Sequence, residues 1–440
     1  MRVSTWMTLG MVALANAAHA QLRLPGVPLP ALPSLTLSQT AAQTAANSAQ
    51  RLDEVRHVLI ANLIRSNPRT IAQDPHGEPI VRNELLAFSP SAAALDAVRS
   101  LGFQILREQT IDALEVRVFV LQPPRHTPMA AALRLLREAD PNGTYDFNHI
   151  YTGGGHMSDA ASPASPQVVD AEALAKAGPV YRIGLIDTGV DITHPAFHDA
   201  VIHTSGCGDR IMASRHGTAV ASLLIGQSGG FHGVLPTAEL FAADIYCDAP
   251  TGGAVDALAA AFSWLAQQRV AVINVSLVGP DNALLKQIVH ALTARGYLLV
   301  AAVGNDGPAA PPLYPASYPQ VIGVTAVDAH HRVLIEAARG PQVMFAAPGA
   351  DMAAADIAGK YAAVRGTSFA SPIVAAILAR TVSAPDVRVA GGAVEALASQ
   401  AIDLGPPGRD LTYGFGLVGA EYAIDPGLME ETPRRRRINQ

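Results

Sequence analysis

The chain has 440 residues, 49% hydrophobic and 15% charged. That length and balance allow a large buried core in more than one domain, and they exclude a chain disordered throughout. A net charge of −6 and a pI near 6.1 give no sign of nucleic acid as a partner.

The chain opens on a positive residue, Arg2, then an apolar run from Trp6 to Ala15, then Ala18-His19-Ala20. This pattern predicts a signal peptide over 1–20, with an N-terminal membrane anchor as the competing reading. The run is too short to span a bilayer, and the later apolar stretches, around 297–303 and 368–380, are bounded or broken by Gly, Ser and Pro. Residues 21–50 read as a flexible Pro/Ala-rich leader.

From 51 to 155 the pattern is that of a small module. Leu52, Val55, Leu59 and Leu63 have helical spacing. Glu84–Phe88 predicts a strand. Ser89-Pro90 predicts a cap and first-turn proline for a helix over Ser91–Leu101, stopped by Gly102. Phe103–Arg107 and Leu114–Leu121 predict strands. Thr127-Pro128 repeats the cap signature before a helix to about Ala139, and Thr144–Tyr151 predicts a last extended segment. The order β-α-β-β-α-β is the ferredoxin-like split motif. Residues 152–168, rich in Gly, Ser, Ala and Pro, predict an exposed linker.

Beyond the linker, strands and helices alternate. Strands are predicted at Val180–Ile186, Ala238–Ile245, Val270–Leu277 and Tyr297–Val303. Helices are predicted from His216 to Gly226 and over Ala254–Gln267 and Ala283–Arg295. Nearly continuous apolar strands alternating with helices predict a parallel sheet covered on both faces. The whole is α/β, mainly a parallel sheet with helices on both faces, preceded by a small α+β module. The larger domain is assigned to 156–425, and 426–440 to a basic polar tail containing Arg434–Arg437. Cys207 and Cys247 are two cysteines in Gly- and Asp-flanked stretches, which favours a disulfide over two unrelated core thiols.

Four segments carry chemistry. Ile183-Gly184-Leu185-Ile186-Asp187-Thr188-Gly189 puts an acid where an apolar strand ends. Arg215-His216-Gly217-Thr218 puts an imidazole at a helix start. Ala301-Ala302-Val303-Gly304-Asn305-Asp306 puts an amide after another strand. Gly366-Thr367-Ser368-Phe369-Ala370-Ser371-Pro372 puts a hydroxyl at the opening of an apolar helix, where the helix end offers an N–H and a positive field. Each alone has an ordinary structural reading.

In the order Asp, His, Asn, Ser they resemble the subtilase family, from Val180 to about Ile424. Val272-Ile273-Asn274-Val275-Ser276-Leu277 resembles that family's substrate-lining strand. The resemblance implies a subtilisin-like fold and a secreted serine-type endopeptidase working through an acyl-enzyme. It implies a triad of Asp187, His216 and Ser368, with Asn305 and the Ser368 N–H as oxyanion donors. It implies an extended polypeptide substrate paired with Ser276, Leu277, Val278 and Gly279, and an apolar wall at Leu277, Ala301, Ala302 and Gly304. Asp306 is expected to point into water rather than form an acidic rim. The small module then resembles a propeptide, an inhibitor and folding aid for the domain behind it, cut near 151–168 by the enzyme itself. A retained regulatory domain is the competing view.

The expected protein is a monomer after maturation, periplasmic or extracellular, without a cofactor. Many subtilases bind calcium, but no ligand set can be picked out: Asp244, Asp248 and Asp256 read as loop or cap residues. No metal is assigned either to His194, His198 and His203, since His194-Pro195 belongs to the Asp motif. The second functional reading is a catalytically silent peptide-binding scaffold of the same fold.

Overall fold

The computed structural model describes residues 56–158, 180–208 and 210–429. The signal-peptide, leader and Arg-rich tail assignments lie outside them, as do Leu52 and Val55.

The first part begins with helix α1 (56–66) and strands β1 (Ile71–Gln73) and β2 (Pro79–Phe88). Helix α2 (Ala92–Ser100), β3 (Gln104–Ile111), β4 (Val116–Gln122), α3 (Met129–Ala139) and β5 (Thr144–His149) follow. The sheet is antiparallel in the order β5-β2-β4-β3, with β1 added at the start of β2. This is the expected split motif. Two local expectations change. The cap of α2 is Ser91, whose Oγ accepts from the Ala94 N–H at 3.1 Å. Ser89 is instead turned to β4, accepting from the Arg117 N–H at 3.0 Å. Helix α3 starts at Met129, with Pro128 at the N-cap position and no side-chain cap.

One face of this sheet packs on α2 and α3 through Leu95, Val98, Leu133 and Leu136. The other supplies Leu86, Ile111, Val118 and Val120 to a core shared with the second part.

Strands β6 (Thr152–Gly153) and β7 (His156–Met157) come next. The second part holds β8 (Arg182–Asp187), β9 (Ile202–Ser205), α4 (Arg215–Ile225), a small hairpin of β10 (Gln227–Ser228) and β11 (Phe231–His232), and β12 (Glu239–Asp244). It continues with α5 (Val255–Gln267), β13 (Val272–Val275), β14 (Leu277–Val278), α6 (Ala283–Thr293) and β15 (Leu298–Ala302). The last elements are β16 (Ile322–Val327), β17 (Val343–Pro348), β18 (Ala350–Ala355), β19 (Tyr361–Arg365), α7 (Thr367–Ala379) and α8 (Val387–Gln400). Seven strands pair in parallel in the order β17-β16-β15-β13-β8-β12-β9. Helices α4 and α7 cover one face with Leu224, Phe369, Ile373 and Val374. Helices α5 and α6 cover the other with Phe262, Leu265, Ile288 and Leu292. The strands are buried on both faces, which is why they read as apolar runs. Among the described residues no helix is long and apolar enough to cross a membrane. Cys207 and Cys247 form a disulfide.

The two parts meet at helix starts. Asn282 caps α6, its Oδ1 accepting from Leu284 and Leu285 N–H at 3.1 Å, while its Nδ2 donates to the Phe147 carbonyl at 2.9 Å. Asp146 accepts from the Ala283 N–H at 2.7 Å, placing a carboxylate at the same helix start. At α5, Asp256 receives Asn148 at 3.0 Å and Arg107 at 2.7 Å. Replacing Asn282, which is fully buried, removes a cap and a bond between the parts. Asn282→Ala is expected to lower the stability of the full chain by about 1–2 kcal/mol in urea denaturation. A loss within error would mean that α6 is capped otherwise.

Candidate active site

The carboxyl ends of the parallel strands form one edge of the sheet, and the four singled-out segments converge there. Asp187 ends β8 with its side chain buried. Its Oδ1 accepts from the Thr188 N–H at 2.6 Å, the Thr188 hydroxyl at 3.1 Å and His216 Nδ1 at 2.8 Å. His216 lies in the first turn of α4. The next residue must be small, because a Cβ on Gly217 would lie 2.2 Å from the Thr188 carbonyl. The Gly217 N–H donates to Thr188 Oγ1 at 2.8 Å, which fixes α4 against the strand end.

Ser368 is the second residue of α7, almost fully buried. Its Oγ donates to the Ser276 carbonyl at 3.4 Å. Ser276 Oγ receives Asn274 Nδ2 at 2.8 Å and donates to the Ser368 carbonyl at 3.0 Å, tying the end of β13 to α7. Asn305 follows β15. Its Oδ1 accepts from the Thr367 N–H at 3.0 Å, while its Nδ2 is buried with no partner among the described residues. An amide N–H₂ held from one side, buried and unsatisfied on the other, is a donor reserved for an acceptor.

The chain itself fills the cleft. Thr152 and Gly153 pair antiparallel with Val278 and Leu277, and His156 and Met157 pair with Arg365 and Val364. The intervening Gly154 points its carbonyl at His216 Nε2, 3.1 Å away. A Cβ on Gly154 would lie 2.8 Å from Asn305 Nδ2 and 3.5 Å from Ser368 Oγ. Residues 152–158 are exposed in part, as their composition suggests, but they are not an unpaired linker. Their polar, Gly-rich backbone is satisfied by strands on both sides of the cleft. The rest of that predicted linker lies outside the described residues.

His216 thus has an acceptor at each nitrogen, the Asp187 carboxylate and the Gly154 carbonyl. Only the charged imidazolium donates to both. Burial draws the imidazole pKa down, but the Asp187 charge and the bonds to Asp187 and Gly154 hold it above the ordinary 6.5.

Upstream, Tyr151 is fully buried. Its N–H donates to the Gly253 carbonyl at 2.8 Å, its hydroxyl to the Pro280 carbonyl, and its carbonyl accepts from the Tyr246 hydroxyl at 3.0 Å. Its ring lies against Gly279, where a Cβ would be 2.7 Å away.

Of the expected strand Ser276–Gly279, only Leu277 and Val278 pair with the segment in the cleft. The Ser276 carbonyl is taken by Ser368, and Gly279 exchanges two 2.9 Å hydrogen bonds with Tyr314. Gly304, from the expected wall, lies against Leu313. Asp306 does not point into water: its side chain is 17% exposed and lies 3.0 Å from Arg56 Nε. The three histidines do not converge. His194 caps Ala196 and bonds the Lys360 carbonyl, His198 pairs with Asp199, and His203 stacks on Phe241. Cys207, Asp244 and Cys247 cluster, but the thiols are spent in the disulfide. The sequence reading missed Tyr151, Tyr246, Gly253 and Gly154, and the one signal for them was an extended pattern ending at Tyr151 before three glycines.

The comparisons identify the family. The model of the subtilase family matches residues 179–416, more than half the chain. Subtilisin DY of Bacillus licheniformis is 32% identical over 250 residues, 55% of this chain and 90% of that protein. The minor extracellular protease Epr of Bacillus subtilis is 30% identical over 259 residues, 57% of this chain but only 40% of Epr. Fervidolysin from Fervidobacterium pennivorans, described as a keratinolytic enzyme related to subtilisin, shares the fold, with a TM-score of 0.63 at 19% identity over 80% of this chain and 62% of its own. The chain belongs to the subtilase family of serine-type endopeptidases.

Proposed function

We propose that this protein is an exported serine endopeptidase made as a self-processing zymogen. Asp187, His216 and Ser368 are its triad, Asn305 and the Ser368 N–H its oxyanion donors, and the part ending at Gly154 its intramolecular inhibitor. The observation that carries the reading is the passage of residues 151–157 through the cleft, with the Gly154 carbonyl beside His216, Ser368 and Asn305. Export is supported by the amino-terminal pattern and by the name of a relative, the extracellular protease Epr.

The chemistry follows from the contacts. While His216 donates to Gly154 it cannot take the Ser368 proton. Loss of the Nε2 proton frees that nitrogen to accept from Ser368 Oγ. Turning the Gly154 carbonyl toward Asn305 Nδ2 then exposes its carbon to Ser368 and gives the developing oxyanion its donor. The Oγ proton passes to His216 and on to the Gly155 nitrogen as the Gly154–Gly155 bond breaks, leaving Gly154 esterified to Ser368. Water, activated by the same imidazole, releases it. Asp187 orients the ring and stabilises its charge throughout. Other polypeptides enter afterwards as extended strands along Leu277 and Val278.

Expression of the full chain beside a Ser368→Ala variant, followed by intact mass, tests the reading. The wild type is expected to yield a species beginning at Gly155, while the variant keeps this bond. Trimming of both at one place would point to other proteases. A wild type that stays whole and binds peptide without cutting would favour the silent scaffold.

The pH dependence has a definite sign. The raised His216 pKa means that the closed arrangement is favoured at low pH and lost as pH rises through that pKa. The self-trimming rate should climb with pH along a limb centred above 6.5. A rate already maximal at pH 5.5 would contradict this. Asn305→Ala should lower kcat by about 10²–10³-fold with KM little changed, a magnitude carried over from the equivalent donor of subtilisin itself. A variant losing less than threefold would remove Asn305 from the role.

A further inference from the structure

Resting on the protease reading above, we propose that Arg215 is a substrate-binding residue. Its guanidinium takes the main-chain carbonyl of the fourth residue after the cleaved bond, and a serine there frees that carbonyl for it. In the chain's own segment the four residues after the Gly154–Gly155 bond are Gly155 to Ser158. His156 and Met157 pair antiparallel with Arg365 and Val364, which brings Ser158 opposite Ala363. The Ser158 N–H donates to the Ala363 carbonyl at 3.0 Å. A regular antiparallel pair would return the Ala363 N–H to the Ser158 carbonyl. That exchange is broken here. The Ala363 N–H donates to Ser158 Oγ at 3.1 Å, and the Ser158 carbonyl turns out of the ladder to accept from Arg215 Nη2 at 2.7 Å. The serine hydroxyl thus stands in for its own carbonyl.

Arg215 is held in this pose. It is the first residue of α4, beside His216. Its Nε donates to Asp356 Oδ1 at 2.8 Å and its Nη2 to Asp356 Oδ2 at 2.7 Å. Asp356 is buried, and its Oδ1 also accepts from the Ile357 N–H at 2.8 Å. The Asp356 N–H bonds the Lys360 carbonyl at 2.7 Å, closing the turn between β18 and β19. The carboxylate is therefore fixed, and a guanidinium gripped by it along one edge has a fixed direction. Nη2 carries two hydrogens: one goes to Asp356 and the other to Ser158. Arg215, Asp356 and Ala363 all lie after the cut, so the contact uses no residue that maturation removes. Ser158 is exposed and the Arg215 side chain is 40% exposed. Water competes for such a bond, so its effect is several-fold rather than absolute.

The test uses enzyme matured from the full chain and three peptides that share Tyr-Thr-Gly-Gly-Gly-His-Met, the sequence of residues 151–157. One continues to a serine amide and one to an alanine amide. The third ends in an ethanolamide, which keeps the N–H and hydroxyl of a serine and lacks its carbonyl. The cut is placed by mass spectrometry, and competent sites are counted by phosphonate labelling of Ser368. The enzyme's own residues 155–158 must leave before any of the three enters, so their competition cancels from the ratios. Wild type is expected to cut between the second and third glycines. Its kcat/KM for the serine amide should be at least about fivefold above the ethanolamide and about threefold above the alanine amide. Arg215→Gln and Arg215→Lys, the second keeping a cation for Asp356, are expected to bring both ratios below about twofold. A displaced His216 would slow all three peptides alike and leave the ratios standing. Wild-type rates equal for the serine amide and either of the others overturn the proposal, even if both variants misfold. So do unchanged ratios in folded variants, which give the role to the β19 strand, and a cut at another bond, which breaks the register. A wild type that neither labels nor cuts any peptide or unfolded protein defeats the protease reading, and this inference falls with it. Labelling and cutting of unfolded protein, with the three peptides cut equally, defeats the inference alone.

Discussion

The arrangement depends on a buried carboxylate. Asp187 is 2% exposed at the end of a central strand, where an ionised group is costly unless it is bonded and paired. Thr188 gives it two hydrogen bonds and His216 a third that carries charge. The position of the imidazole follows from this need. Thr188 also receives the Gly217 N–H, so the group that solvates Asp187 also docks the helix that presents His216. The second nitrogen of His216 faces the Gly154 carbonyl, and that contact joins Asp187 in raising the imidazole pKa. A single desolvated carboxylate thus organises a strand end, a helix start and the chain lying across the cleft.

The parallel register does the rest. Asp187 pairs with Asp244, and Val275 pairs with Ile186 on one side and Ala301 on the other, so β8, β12, β13 and β15 finish within a residue of one level. Residues just past those ends, Ser276 and Asn305, come out beside Ser368 on α7. Helix α7 is buried along nearly its whole length. The place of Ser368 is therefore set by core packing, which is stiff, rather than by a surface loop.

This explains what could be read from the sequence. Asp187, His216, Asn305 and Ser368 stand at transitions between element types, and local patterns locate such transitions well. The alternation of apolar strands with helices likewise declared a parallel sheet. The segment 152–158 could not be recognised, because Gly, Ser and Thr carry no period and its strand character comes wholly from partners more than a hundred residues away, at 277–278 and 364–365. Asp306 and Ser89 failed for the same reason. A carboxylate in turn-like surroundings reads as solvated and a hydroxyl before Pro90 as a helix cap, yet their partners are Arg56 and Arg117, brought in by tertiary structure. Gly279 resembled a pairing residue by its place in a motif, while its backbone groups were already engaged by Tyr314.

The two sides of the cleft are fastened by different means. The inner wall, Leu277 and Val278, continues a core strand and is held by the sheet. The outer wall is the excursion from β12 to α5 that carries Tyr246 and Gly253, and Cys247 and Asp248 within it have positive φ. Such a loop has little core of its own. Its hold comes from Asp244, whose Oδ1 accepts from the Tyr246 and Cys247 N–H groups, and from the bond between Cys247 and Cys207. Closing a separation of 40 residues removes unfolded-state entropy worth roughly 4 kcal/mol in the chain-entropy account. The disulfide thus fixes the wall that grips Tyr151 without drawing on the segment it grips. A wall so fastened keeps its shape whether its own chain or another lies in the cleft.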